Sequence, residues 1–409
     1  MDINMENSNG RRVLVVGLGI SGIATALRLQ RAGWRPVIIE KAPARRSGGY
    51  FVGLFGAGQA AAERLGILDR MADRAPRNGI TFDMDREGNR QVGLGFRDLP
   101  GRPRLMLRGD VEKAAYAELP PEADIRYSTV PTHIQQDADG VDVTLRNTAS
   151  GAEVTERFAL VVGADGLRST VRSLVFGPPE HYLYRLNYMI AAFELPDSLS
   201  DLAQGDGATL LEPGRSMWIF PFEDHPPTAL FSYRTNDVDA EFGQPPAERV
   251  RAVFGGGPTG RSLGEALDAL ESADELLFDS VEQVHMDSWH RGRVVLVGDS
   301  AWCVTLYAGM GVSAGLAGAD LLGTMLERHP DDLKSALTEW ETKMRPSIEY
   351  YQGLGLEQRS FFTPTSRFQI AQRKVLPLLK KLPLVGRLLG RFQVEGKAGQ
   401  MKEFDIARA

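Results

Sequence analysis

The chain has 409 residues, 43% hydrophobic and 24% charged, an ordinary globular composition with enough length for two or three packed lobes. Its 47 basic and 53 acidic residues leave a net charge of −6, so no summed field draws a nucleic acid backbone or an anionic membrane surface. The lone cysteine, Cys303, excludes an intrachain disulfide and a thiolate zinc cluster, and it fits a reducing, cytoplasmic setting.

Met1 to Gly10, rich in asparagine and acid, lacks the basic start and apolar run of a secretory signal. Arg12-Val-Leu-Val-Val16 reads as a short strand closed by glycines. The apolar periodicity that follows reaches Leu29 and reads as a helix ended by Gly33; Pro36 to Glu40 is a second buried strand. Strand, helix and strand make one βαβ unit, which implies a parallel sheet covered on both faces. From Lys41 to Gly58 the pattern fails and a long loop is expected, of a length that usually has a functional reason. Residues 59–70 then read as a helix.

Residues 79–107 and 185–287 carry alternating, aromatic-containing segments such as Thr228-Ala-Leu-Phe-Ser-Tyr-Arg234, which predict an antiparallel sheet in one substrate lobe. Between them the sequence predicts a helix after Arg108, a hairpin of Val130–Gln136 with Val141–Arg146, and a buried strand over Ala159–Gly163. Arg293 to Val297 is another buried strand, running into a small-residue helix from Met310 to Arg328. The tail from about Asp331 is mostly helical and ends in a basic amphipathic stretch, Arg373 to Arg391. Pro377 and Pro383 break the period of that stretch, which favours packing on the body over lying on a membrane. No apolar run reaches the roughly 20 residues that span a bilayer, so a soluble protein without stable membrane insertion is expected.

Gly17-Leu18-Gly19-Ile20-Ser21-Gly22 follows a predicted strand and opens a predicted helix, the setting of a dinucleotide fingerprint. The first glycine permits the tight turn, the second lets backbone approach a pyrophosphate, and the third lets helix and strand pack while the helix start faces the phosphates. Glu40, followed by Lys41, ends the next strand where an acid meets an adenosine ribose, and its charge disfavours a 2′-phosphate there. These residues alone do not distinguish NAD from FAD. Further on, Gly309-Met310-Gly311-Val312 begins the small-residue helix, and its free N–H groups and positive dipole end suit an anion such as a reduced flavin.

Two later segments, Leu160-Val-Val-Gly-Ala-Asp165-Gly166-Leu-Arg168-Ser169-Thr-Val-Arg172 and Gly298-Asp299-Ser300-Ala301, also follow strands and precede helices. With the N-terminal fingerprint they resemble, in order and spacing, the three signatures of group A FAD-dependent aromatic monooxygenases, the para-hydroxybenzoate hydroxylase type of fold. The resemblance runs from about residue 11 to about 350. It implies an α/β chain whose split Rossmann-type FAD-binding domain (11–78, 105–178 and 288–335) carries an inserted antiparallel β-sheet substrate domain (79–104 and 179–287) and C-terminal helices (336–409). It implies that Asp299 hydrogen-bonds the ribityl chain of FAD, that Arg108 opens a helix near the cofactor, and that Val130 meets the adenine through its backbone. Asp165 and Gly166 would serve both FAD and a transient NAD(P)H, and Arg46, in Arg45-Arg46-Ser-Gly48-Gly49-Tyr50, would lie beside the flavin ring as the candidate catalytic residue.

The reaction implied is reduction of FAD by NAD(P)H, capture of O2 as a C4a-hydroperoxide, and transfer of one oxygen to a hydrophobic aromatic or polyketide-like molecule. Hydroxylation, epoxidation and Baeyer–Villiger insertion stay open, as do NADH against NADPH and the oligomeric state. The third signature departs from the family pattern at Trp302, Leu306 and Met310. Leu306 stands where the family has a proline near the site of oxygen addition. It motivates one alternative, an FAD enzyme of the same lineage that does not oxygenate (dehydrogenase, saturase or cyclase); a non-catalytic flavin-binding protein, which would retain the motifs without turnover of NAD(P)H, is a second. His181, His225, His285 and His290 read as structural or surface residues, Trp218 and Trp289 as core, Cys303 as an inert thiol, and Tyr307 as core or substrate-facing.

Overall fold

The computed structural model describes residues 12–45, 49–98, 101–380 and 396–408. In chain order β1 (Arg12–Val16), α1 (Ile20–Arg31) and β2 (Arg35–Ile39) form the opening unit, followed by β3 (Phe51–Leu54) and α2 (Gly56–Arg64). Next come β4 (Thr81–Met84), β5 (Arg90–Val92), β6 (Arg104–Leu107), α3 (Arg108–Tyr116), β7 (Asp124–Arg126), β8 (Thr129–Gln136), β9 (Val141–Asn147), β10 (Glu153–Phe158), β11 (Leu160–Gly163) and α4 (Thr170–Val175). The middle of the chain holds β12 (Leu183–Glu194), β13 (Gly207–Glu212), β14 (Arg215–Phe220), β15 (Thr228–Arg234), α5 (Val238–Glu241), α6 (Pro246–Phe254), α7 (Gly260–Glu271) and β16 (Leu276–Val284). The last third holds β17 (His290–Arg291), β18 (Val294–Leu296), α8 (Asp299–Trp302), α9 (Gly311–Arg328), α10 (Leu333–Phe362), α11 (Arg367–Lys380) and a terminal helix, Lys397–Glu403.

A six-stranded sheet runs β17-β18-β11-β1-β2-β7, parallel except for the β17–β18 edge. Its central strands are almost wholly aliphatic because both faces are covered, and Val13, Leu14, Val15, Val161, Val162 and Val295 are fully buried. A seven-stranded sheet runs β16-β12-β15-β14-β13-β4-β5. The first sheet therefore draws strands from residues 12–39, 124–126, 160–163 and 290–296, and the second from 81–92 and 183–284, so the chain leaves the parallel sheet twice and returns.

Several sequence expectations change in detail. The β4–β13 pair is parallel, so the second sheet is mixed rather than purely antiparallel. Residues 238–271 fold as α5, α6 and α7 rather than as strands, and Val250, Phe254, Leu263 and Leu267 seal one face of the sheet. β6, read with the alternating segments of residues 79–107, pairs instead with β3, a strand inside the expected loop. The helix expected over 59–70 starts earlier and stops at Arg64, because Gly66 takes a left-handed turn (φ 66°) before a short 3₁₀ segment. The hairpin forms and gains a third strand, β10.

The small residues of α9 have a packing cause as well: a Cβ on Gly318 would lie 2.8 Å from the Trp302 ring. Trp302 sits with Trp289 and Trp340 in one buried aromatic cluster, and Trp340 Nε1 donates to Gly318 O at 2.9 Å. α11 continues through Pro377 to Lys380. Arg373 on it lies 4.5 and 4.2 Å from the Trp218 and Phe361 ring centroids and donates to Leu94 O, so this part of the basic stretch packs on the body. Among the described residues no helix is long and apolar enough to cross a membrane.

Candidate active site

The turn between β1 and α1 is built for close approach. Gly17 has φ 105°, and a Cβ there would sit 2.5 Å from Ala164 O; one on Gly22 would fall on the Gly17 carbonyl. These two glycines are dictated by the protein's own packing. Gly19 differs, since its Cβ position is open except for Arg108 Nη2 at 3.6 Å and Glu112 Oε1 at 3.9 Å. The space before Gly19 belongs to a cavity of 240 Å³ bordered also by Glu40, Lys41, Val130 and Asp165. Glu40 accepts hydrogen bonds from Leu18 N and Ala42 N, both at 2.9 Å, which fixes the carboxylate under the glycine turn. Asp165 points its carboxylate at the start of α4, accepting from Ser169 Oγ and Thr170 N at 2.6 Å and Val171 N at 3.1 Å. Burial raises its pKa and those donors oppose the rise.

Arg108 marks the end of this cavity. Asp110 accepts from Leu107 N at 3.2 Å and pairs with Arg74 at 2.6 Å, which caps α3 so that Arg108 begins the helix. The Arg108 guanidinium pairs with Glu112, one turn on, at 2.6 Å. Gly19, Arg108, Ala164 and Gly166 border both this cavity and a second of 340 Å³, so the two adjoin.

Asp299 opens α8 inside the second cavity. Its side chain forms part of the cavity wall and is accessible from the cavity. Its pKa is raised by partial removal from water, while Arg108 and the nearby Cys303 thiol pull it back. Its Oδ1 is 4.0 Å from the Cβ position of Gly311, where α9 begins. Ala314 N is bonded to Met310 O, so the N–H groups of Gly311, Val312 and Ser313 lie in the first turn, where no helix carbonyl reaches. Ile20 and Ser21 form the adjoining wall, and Ser21 Oγ fills the side where a Gly298 or Gly315 Cβ would stand. Cys303 is buried, with a thiol pKa held well above its usual range by burial and by Asp299, as an inert thiol requires.

Away from these polar groups the cavity becomes aromatic and aliphatic. Phe51 stacks on Phe220 (centroids 4.1 Å apart) and meets the edge of Phe96 at 4.5 Å; Ile190, Leu230 and Leu306 continue the wall. No described histidine borders either cavity: His285 bonds Gln283, and His225 and His290 face Glu194 and Glu341. Tyr307 is fully buried and bonded to Ser232 at 2.9 Å, so it is core. Trp218 and Trp289 are core as read. Arg46 lies outside the described residues.

Four features escaped the sequence reading. Glu112 had a signal, an acid one turn after an arginine. Arg172 joins the second motif to the third, donating to Leu167 O at 2.6 Å and Ser300 O at 2.9 Å. Tyr50 enters the cavity beside Arg108 and Asp299. Thr305, next to Leu306, has φ 69° and ψ 159°, a region that favours glycine, and nothing in its local sequence announces that strain.

Residues 11–332 match the family described as FAD binding domain. The chain belongs to that family. An uncharacterized protein of Mycobacterium tuberculosis (strain ATCC 25618 / H37Rv) is 30% identical over 366 residues, covering 84% of this chain and 92% of its own. A flavin-dependent monooxygenase from an unknown prokaryotic organism is 28% identical, covering 84% of this chain and 88% of its own. The crystal structure of tetracycline destructase Tet(55) has a TM-score of 0.74 and 25% identity, over 94% of this chain and 97% of that one. The protein is thus a group A FAD-dependent monooxygenase, an oxidoreductase. The donor set fits FAD: a glycine open to a phosphate, a carboxylate under the turn, and an acid and a helix start at the far end.

Proposed function

We propose that this monooxygenase uses NAD(P)H and O2 to insert one oxygen atom into a hydrophobic, aromatic or polyketide-like small molecule. The observation that carries the reading is the junction of a groove of glycine, charge and helix start with a chamber walled by Phe51, Phe96 and Phe220. The shared architecture with a tetracycline destructase supports a multi-ring substrate.

In this reading Glu40 accepts from the adenosine ribose, with Lys41 at the rim and the Val130 backbone at the adenine. Gly19 and the start of α1, with Ile20, Ser21 and Gly22, admit the pyrophosphate, aided by Arg108 and by the Asp165–Gly166 turn. Asp299 accepts from the ribityl chain, and the N–H groups of Gly311 and Val312 face the ring. Arg46 is assigned to the ring's edge. When bound, FAD supplies reduction by NAD(P)H, reaction with O2 and delivery of one oxygen atom. The chain's own part is orientation and exclusion of water: the phenylalanines shed solvent from the substrate, and the α9 start stabilises negative charge. The buried Cys303 suits a cytoplasmic enzyme.

The test is an absorbance spectrum of purified protein, then anaerobic NADH or NADPH with candidate aromatic compounds, then air. Flavin bleaching followed by an oxygenated product is the expected result. A flavin that stays oxidised under every donor and ligand would overturn it.

A further inference from the structure

We propose that Tyr50 is a positioning residue of the flavin site, whose phenol donates a hydrogen bond to the isoalloxazine ring and binds the reduced ring more strongly than the oxidised one. The proposal rests on the FAD reading above. Tyr50 lines the chamber together with Arg108, which also borders the groove, and with Asp299 and Cys303, and it precedes Phe51 of the aromatic wall. A flat ring held beside Arg108 and Asp299 shares the chamber with it.

The backbone holds this residue against α3 more firmly than a loop position would be held. Arg108 N donates to Tyr50 O at 2.9 Å, and Phe51 pairs with Leu107 in the β3–β6 ladder. Before it, Gly49 has φ 152°, and a Cβ there would lie 2.9 Å from Gly109 N, so the chain passes too close to α3 for any other residue. The backbones of Tyr50 and Arg108 are therefore held together.

The phenol's chemistry suits the role. Burial raises its pKa, with Arg108 opposing and Asp299 adding, so it stays a neutral donor at the pH of the cell. Among the described residues no group hydrogen-bonds its oxygen, and the residue lines the chamber. A neutral donor beside a guanidinium favours the ring form that carries negative charge, and that is the reduced one.

Tyr50→Phe keeps the shape and removes the donor. The expected result is an unchanged apo-protein Tm, an altered visible flavin spectrum, and reduced FAD bound about tenfold more weakly relative to oxidised FAD. That ratio moves the two-electron potential about 30 mV more negative. Fluorotyrosine at position 50, a stronger donor of nearly the same shape, is expected to move the potential the other way. Unchanged potential and spectrum in both variants overturn the proposal. A parent protein that holds no FAD sinks the reading of the whole site instead, and the two failures are distinguishable.

Discussion

The groove and the chamber are adjoining cavities built on different principles. The groove is built around backbone turns, the glycine turn before α1 and the Asp165–Gly166 turn before α4, with glycines whose Cβ would meet neighbouring carbonyls. The chamber is made of side chains from distant parts of the chain, with Phe51, Phe96 and Phe220 arriving on three separate elements. Backbone sites are written locally and tolerate no side chain, whereas side-chain sites are written by tertiary packing and can be reshaped residue by residue. Damage to the groove should therefore abolish cofactor binding, and damage to the chamber should change the substrate.

The largest contrast lies within the groove. Gly22→Ala, whose Cβ would meet the Gly17 carbonyl, is expected to cost about 1–3 kcal/mol of overpacking and to yield protein without FAD. Gly19→Ala has ordinary clearance from Arg108, so apo-protein Tm should hold while FAD affinity falls at least tenfold by equilibrium titration. Equal losses of Tm in the two variants would show that Gly19 serves packing rather than the pyrophosphate.

Asp299→Asn comes next. A charged hydrogen bond is worth about 1.5–3 kcal/mol, so FAD should bind roughly 10- to 100-fold more weakly. In the apo protein the sign reverses. The Asp299 pKa is raised in the fold, so its contribution is fully present below the unfolded value and is lost as pH rises through the folded one. Asp299→Asn should therefore gain Tm over the parent at pH 8 and not at pH 4; a flat difference contradicts the burial argument.

The chamber gives a smaller and separable effect. Phe220→Ala is expected to lower stability by roughly 3–5 kcal/mol, to weaken aromatic ligand binding, and to leave the FAD dissociation constant near the parent value in the fraction that folds. Loss of FAD along with ligand would mean that groove and chamber are not separable. Smallest of all, a thiol reagent such as iodoacetamide should leave activity intact, because Cys303 is buried and its pKa is held high.

How much of this could be read in advance follows the same division. The turn of the fingerprint and the helix starts at Arg108 and Asp299 were legible as local structure because each depends on a few consecutive residues between a strand and a helix. α7 had a helical signal, with Leu263, Ala266, Leu267 and Leu270 on one face, but it was absorbed into a β reading of its surroundings. β3 is four residues long and exists only through its pairing with β6, which no local pattern encodes. Tyr50 and Thr305 escaped for the related reason that their roles come from what packs beside them.

The central claim is that one cofactor and one aromatic substrate occupy adjoining parts of a single site. The measurement that tests it most directly is titration of the FAD-loaded protein with a multi-ring aromatic ligand such as tetracycline, following the flavin's visible absorption in the parent and in Phe220→Ala. The account predicts a saturable spectral shift in the parent and an apparent Kd at least tenfold higher in the variant, with FAD retained by both. Ligand binding that leaves the flavin spectrum untouched, or that is indifferent to Phe220, would contradict it.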